Sequence, residues 1–329
     1  MPQDNGVFEL MLEKFVKVRG RNYISKWGTI SNLSHFFPVP KGENDIRMVY
    51  DLTESRLNDA LCAPRFWMPT MLNVIDCATH SSWYGDVDAG EMFLNFPLDI
   101  RMRKYCGIDL PWMNEDVSTL WECWHRMAMG MRPSPWVTFR LLMWMMEIVV
   151  GDRKEINNPF RWDEVRLNLP GSGSYNTSLP RVFKWDSLEE GIAFDCKFFC
   201  DDFRIIGSNE KLTKRATHRL ETTMSYLGVQ DGTRKRRSIT QKPGKWTGSI
   251  VLSVEGIGVF VTISQQKWNR ARAIISKWND RVNLIEKKEI LPLLGYTMLE
   301  SDICFLIHVA MVYPVMKPFL RGFYLTLNS

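Results

Sequence analysis

The stretch Phe198-Phe199-Cys200-Asp201-Asp202-Phe203-Arg204-Ile205-Ile206-Gly207 constrains the chain most, because it sets two adjacent carboxylates between two apolar, strand-like runs. Successive side chains of an extended strand point to opposite faces, so Asp201 and Asp202 can share a ligand only if the chain turns tightly there. A hairpin tip meets that need. Two carboxylates buried side by side raise each other's pKa and cost several kcal/mol, and a divalent metal is the simplest way to keep both ionised. Asp-Asp pairs also occur in ordinary solvated turns. The weight of the metal reading therefore falls on the rest of the chain.

At 329 residues the chain exceeds one typical core and predicts two or three substructures. With 45% hydrophobic and 24% charged residues it sits in the globular range. The net charge is +5, and the cations gather late in the sequence, which favours a polyanion groove over a uniformly basic surface. Seven cysteines, odd in number and without a CxxC pair, point away from a disulfide framework or zinc knuckle and toward a reducing compartment. Met1 leads into polar residues with no signal-like region. The two most apolar stretches are interrupted by Arg140 and Glu147 or by Asp302 and His308, so no membrane span is expected.

Residues 6–21 place apolar and basic positions in a helical period. Pro38, Pro40 and Gly42 are expected to break the chain before a strand at 45–51. Lys41 and Arg47 flank the start of that strand, where they suit a triphosphate clamp or serve as strand-edge charges. Residues 82–99 read as a strand ending at an acid, a Gly-containing bend and a short apolar helical turn closed by Pro97. Asp86 and Asp88 share one strand face, so either suits a third carboxylate, while a strand-terminal Asp also serves as a helix N-cap.

An apolar helix is expected over 120–129, interrupted by Gly130-Met131-Arg132-Pro133-Ser134-Pro135 before a second helix at 136–149, with Ser134 as its N-cap. Residues 151–188 predict a β-hairpin or extended insertion with Gly171-Ser172-Gly173-Ser174 at its tip. Beyond the acidic pair, 209–227 predicts an amphipathic helix with Lys211, Lys214, Arg215 and Arg219 among its polar positions and Gly228 as C-cap. The cations Arg234, Lys235, Arg236, Arg237, Lys242 and Lys245 suit a phosphate backbone or a solvated loop. A strand is expected at 250–254, then helices at 265–278, 286–299 and 302–313.

Taken in order, these pieces resemble the reverse transcriptases of retroelements over about residues 41–248, with weaker similarity onward. The likeness is to polymerases of long-terminal-repeat and related retrotransposons of simple eukaryotes. Asp88-Ala89-Gly90-Glu91-Met92-Phe93-Leu94-Asn95-Phe96-Pro97-Leu98 is similar to the family's first catalytic motif, and that register selects Asp88 over Asp86. Phe199-Cys200-Asp201-Asp202 resembles the aromatic-X-Asp-Asp box. Lys41 and Arg47 fall where the fingers cations stand, and Gly130 to Pro135 resembles the segment under the template base and nascent pair. Lys235 fits the lysine that protonates leaving pyrophosphate, Trp246-Thr247-Gly248 resembles the primer grip, and residues 295–324 the thumb-side segment. Two features depart from the family: Met129 stands where Gln is usual, and the 151–188 insertion is longer than compact members carry.

The resemblance implies an α+β right-hand polymerase, with fingers from residues 1–80 and parts of 100–128. The palm would span 81–250, an antiparallel sheet backed by helices that carries the insertion at about 151–188, and a helical thumb would span 251–329. It implies an RNA-directed DNA polymerase, a nucleotidyltransferase using two Mg²⁺ ions, with Mn²⁺ as substitute, held by Asp88, Asp201, Asp202 and the Ala89 carbonyl. Lys235 would act as acid, Lys41 and Arg47 would hold the triphosphate, Phe93 would be a steric gate under the sugar, and Gly130 would lie in the segment beneath the pair. Expected partners are an RNA or DNA template with primer and dNTPs, with no membrane; RNase H or integrase modules of a larger polyprotein are compatible. The expected setting is intracellular, in cytoplasm, particles or nucleus. The alternative is a catalytically inactive, nucleic-acid-binding relic, against which the three intact acids argue. A template-independent nucleotidyltransferase is disfavoured by the primer-grip and thumb-like segments.

Overall fold

The computed structural model describes residues 5–41, 44–113, 121–230, 232, 237–287 and 295–323. The chain divides into two compact units. The first comprises Met1–Trp67, Asp88–Val149 and Leu220–Arg234; the second comprises Met68–Val87, Val150–Arg219 and Lys235–Ser329.

In the first unit, helix α1 (Asn5–Gly20) carries Phe8, Met11, Phe15 and Val18 at spacings of three and four, so one face turns inward. Met11 and Phe15 are buried there. Strand β1 (Ile24–Lys26) follows, then β2 (His35–Pro40) and β3 (Ile46–Asp51), an antiparallel pair with Val39 opposite Arg47. Pro38, expected to break the chain, instead lies inside β2, while Pro40 ends the strand before the turn into β3; Gly42 lies outside the described residues. A proline has no N–H to give, but among the described residues β2 pairs with β3 alone, so its other edge loses no ladder bond. The short helices α2 (Leu57–Ala60) and α4 (Ile100–Arg103) belong to this unit.

The run expected to be a helix at 120–129 enters a strand instead. β6 (Trp121–Trp124) is the central strand between β1 and β5 (Gly107–Asp109). Cys123 and Trp124 are buried, and the buried Glu122 is ion-paired to Arg19 of α1. Ladders on both sides satisfy this strand's backbone, whereas a helix so short holds few internal bonds. The second helix is present as α5 (Ser134–Val150). Ser134 lies in its first turn, where its hydroxyl donates to the Ala128 carbonyl at 3.3 Å.

In the second unit, α3 (Met71–Asp76) opens with a capping box between Thr70 and Asn73. Strand β4 (Trp83–Asp88) follows, its last residue counted with the first unit. The insertion is a three-stranded meander, β7 (Glu164–Leu167), β8 (Val182–Asp186) and β9 (Gly191–Ile192), with Gly171-Ser172-Gly173-Ser174 in the β7–β8 connection. Next come β10 (Asp195–Phe199) and β11 (Asp202–Gly207), in a sheet of order β10-β11-β4. Helix α6 (Glu210–Tyr226), whose residues from Leu220 onward are counted with the first unit, is capped by the Asn209 side chain, which accepts from Leu212 N–H at 2.9 Å. Gly228 follows with φ of +73°, the left-handed stop expected there.

A second meander, β12 (Gly244–Trp246), β13 (Ser249–Val254) and β14 (Gly258–Thr262), leads into α7 (Gln265–Glu286). The separate helices expected at 286–299 and 302–313 are corrected to one helix, α8 (Tyr296–Val312), which runs unbroken through residues 299–302; residues 288–294 lie outside the described ones. Asp302 does not interrupt it, because its carboxylate is buried against Lys277 and accepts from the Trp278 indole at 3.1 Å. The described fold is thus a mixture of helices and antiparallel strand pairs. Among the described residues no helix is long and apolar enough to cross a membrane.

Candidate functional site

The acidic pair stands where the sequence puts it, at a hairpin tip. Phe199 pairs with Asp202, so Cys200 and Asp201 are the two turn residues and Asp202 opens β11. Cys200 takes φ of 52°, a left-handed value that matches the twist of a two-residue hairpin but that glycine would adopt without strain. Behind the tip the rings of Phe198 and Phe203 pack at 5.5 Å, and Phe203 and Ile205 are fully buried. Burial, and then the Asp201 and Asp202 carboxylates, push the Cys200 thiol up to about 11. At neutral pH it is an uncharged neighbour of the two acids, not a thiolate competing for a cation.

Of the two acids on β4, Asp86 is already committed. Both of its oxygens accept from Arg204 of β11 at 2.8 Å. Asp88 is set differently, within the first unit. It is buried at the strand end, with its carbonyl accepting from the Gly232 N–H at 2.7 Å, while Gly90 N–H donates to Gln230 O at 2.8 Å. Asn95 closes the same bend: its amide donates to the carbonyls of Gly90 at 2.9 Å and Met92 at 3.2 Å, and its oxygen accepts from Gln230 N–H at 2.9 Å. A Cβ on Gly232 would fall inside contact distance of the Asp88 carboxylate, so the position accepts only glycine as it stands. Sequence reasoning assigned no role to Asn95, Gln230 or Gly232; an isolated glycine beyond a helix C-cap is the one signal it had.

The rest of the first motif is equally well tied. Ala89 is buried, and Glu91, at φ of 49°, is paired to Lys17 at 3.1 Å and Arg21 at 2.5 Å from α1 and the turn after it. Phe93 lies in the 3-10 turn Met92–Asn95, half-buried against the core of its unit. Lys41 and Arg47 flank the tip of the β2–β3 hairpin, both exposed. Lys41 stands 3.8 Å from Asp45, whose carboxyl is held below the usual carboxylate range chiefly by its hydrogen bond to Lys14. Gly130 has φ of +99° and lies so close to the Tyr50 carbonyl that a Cβ would not fit. Its own carbonyl accepts from Asn58 at 3.0 Å, and Asn58 accepts from Arg132 N–H at 2.8 Å, so a residue the sequence left unremarked braces this segment.

Lys235, with Arg234 and Arg236, lies outside the described residues. Arg237 is described and donates to Pro243 O at 2.8 Å. Trp246-Thr247-Gly248 forms a β-hairpin turn in which Trp246 pairs with Ser249 and both turn residues have positive φ, 44° and 78°. Lys267 of α7 donates to Gly248 O at 2.6 Å and meets His308 of α8 at 2.9 Å. Burial lowers the pKa of both, with the Lys267 charge adding to the effect on His308.

Among the described residues no three His, Cys, Asp or Glu side chains are gathered as a metal centre. The tandem carboxylates still suit Mg²⁺, a hard ion commonly held by one or two protein carboxylates while water and substrate phosphate complete its octahedron.

No protein-family model matches the chain, and no curated protein does. In fold it is similar to a foamy viral protease-reverse transcriptase solved in complex with double-stranded DNA, with a TM-score of 0.60 at 10% sequence identity. The match covers 97% of this chain and 44% of that one, so the chain spans less than half the neighbour's length. At that identity the likeness is one of fold.

Proposed function

We propose that the chain is an RNA-directed DNA polymerase of a retroelement, transferring nucleotides from dNTPs to a primer 3′-hydroxyl on an RNA or DNA template. The observation that carries this reading is the acidic hairpin Phe199 to Asp202, on a chain whose fold is similar to that of a reverse transcriptase over 97% of its length. In this reading residues 1–80 with parts of 100–128 are fingers, 81–250 the palm and 251–329 the thumb.

Asp201, Asp202 and Asp88, with the Ala89 carbonyl, would hold two Mg²⁺ ions, or Mn²⁺ in their place. Such ions, when bound, lower the pKa of the attacking hydroxyl and neutralise charge on the leaving pyrophosphate. The protein's own groups bind and orient. Arg47 engages the triphosphate as a fork and Lys41 as a point charge. Phe93 floors the sugar and excludes a 2′-hydroxyl. The Gly130 segment, braced by Asn58, packs beneath the nascent pair, and the Thr247-Gly248 turn supports the primer end. Lys235 donates a proton to pyrophosphate as it leaves. RNase H or integrase modules in a larger polyprotein are compatible with this role.

The alternative is a non-catalytic nucleic-acid-binding relic, against which the three intact acids Asp88, Asp201 and Asp202 argue. Primer extension with Mg²⁺ on RNA and DNA templates separates the two. We expect synthesis by the wild type and a loss of at least about 10³-fold in Asp88→Asn and in Asp201→Asn, with template binding kept. A wild type that binds template without extending it is the relic. Retained synthesis in both variants removes the assignment of the acids.

A further inference from the structure

Arg204 is 0% exposed and lies on β11, two residues beyond Asp202. Its Nε and Nη2 donate to the two oxygens of Asp86 at 2.8 Å each, a bidentate fork. Nη2 donates also to the carbonyls of Pro243 at 2.7 Å and Lys245 at 3.2 Å. The guanidinium lies 5.6 Å from the ring centres of both Tyr84 and Trp246. Arg237 braces the same group, its Nη1 reaching Asp86 Oδ2 at 3.4 Å and Pro243 O at 2.8 Å. One side chain thereby joins three segments: the strand after the acidic turn, the strand that ends in Asp88, and the chain entering the Thr247-Gly248 turn.

A buried ion pair is a weak source of stability, because desolvation offsets its attraction and an apolar pair of like volume commonly folds as well. What a fork supplies and an apolar contact does not is a fixed register between the segments it joins. Here register matters, since side chains two apart on a strand share a face. Arg204 shares a face of β11 with Asp202, and Asp86 shares a face of β4 with Asp88. Each partner of the pair is one strand repeat from an acid assigned to the site.

We propose that Arg204, held by Asp86, is a positioning residue that sets the register of the acidic hairpin and of the Gly244–Trp246 strand against β4, and so the placement of the carboxylates that bind divalent cations. The inference rests on the metal-binding reading of Asp201 and Asp202, so its test includes readouts that do not depend on polymerisation.

The variants are Arg204→Lys, which keeps the charge and loses the fork, Asp86→Asn, and the double variant Asp86→Leu with Arg204→Met, which leaves no lone buried charge. Thermal melting, Mn²⁺ binding by electron paramagnetic resonance without nucleic acid, and amide hydrogen exchange over residues 196–205 are measured on each full-length protein. In variants that melt cooperatively near the wild-type temperature, we expect Mn²⁺ affinity to fall about 10- to 100-fold and exchange at the acidic turn to quicken. A cooperatively folded double variant with wild-type Mn²⁺ affinity and wild-type exchange overturns the proposal. Loss of cooperative folding in all three also overturns it, because Arg204 is then a stabilising residue and not a positioning one. A wild type that neither binds Mn²⁺ nor extends a primer sinks the polymerase reading instead, and the exchange data alone then decide whether the clamp sets the turn.

Discussion

Gly232 bears directly on the position of Asp88. It donates to the Asp88 carbonyl and leaves the space that the Asp88 carboxylate fills. Gly232→Ala must therefore move either the carboxylate or the backbone at residue 232. A misplacement near 1 Å costs about 10²-fold in rate, so primer extension should fall by about that factor while template affinity holds. Gly228→Ala is the contrasting case: its φ is +73° but nothing lies within 4 Å of the added Cβ. It should cost about 1 kcal/mol of stability and leave the rate unchanged. Melting temperatures and single-turnover rates of the two variants check this; a full rate in Gly232→Ala would show that Asp88 tolerates displacement.

Among the elements, the hairpin strand β10 is tied to the insertion by charge. Asp195 accepts from Lys184 of β8 at 3.1 Å and from Lys197 at 2.8 Å. Burial by itself raises the Asp195 pKa, but the two ammonium groups outweigh it and hold the carboxyl at about 2. Since the folded value lies below the unfolded one, the triad stabilises the fold above about pH 4, and that contribution is lost as pH falls toward 2. In urea unfolding, the stability gap between wild type and Asp195→Asn should narrow by about 2 kcal/mol between pH 6 and pH 2. Parallel pH profiles for the two proteins would remove the triad from the account.

For the whole molecule, the net charge of +5 bears on partners more than on fold. Lys242 and Lys245 are exposed, whereas Arg237 is engaged by Asp86 and the Pro243 carbonyl. Replacing both lysines with Ala should lower the slope of log affinity against log salt on duplex by up to about two units. Arg237→Ala should lower it less. Filter binding across a salt series reads both, and an unchanged slope for the lysine pair returns them to an ordinary solvated loop.

What the sequence by itself determined is whatever a few neighbouring residues encode. The acidic hairpin follows from two apolar runs and a turn, α1 and α6 from spacings of three and four, the insertion from its Gly-Ser tip, and the stop at Gly228 from a glycine after a periodic run. Residues 120–129 escaped it because a short apolar run looks alike as helix or strand, and only β1 and β5 on either side made it β6. Pro38 misled for a related reason, since its tolerance depends on an edge that β2 shares with no other strand among the described residues. The tertiary structure alone decided that Asp86 is held by Arg204, 118 residues away, that Asn58 braces Gly130 across 72, and that Gly232 must lack a Cβ beside Asp88. Contacts at such separations leave no period or spacing in the chain, because each is formed by the folding of segments whose local sequences do not refer to one another.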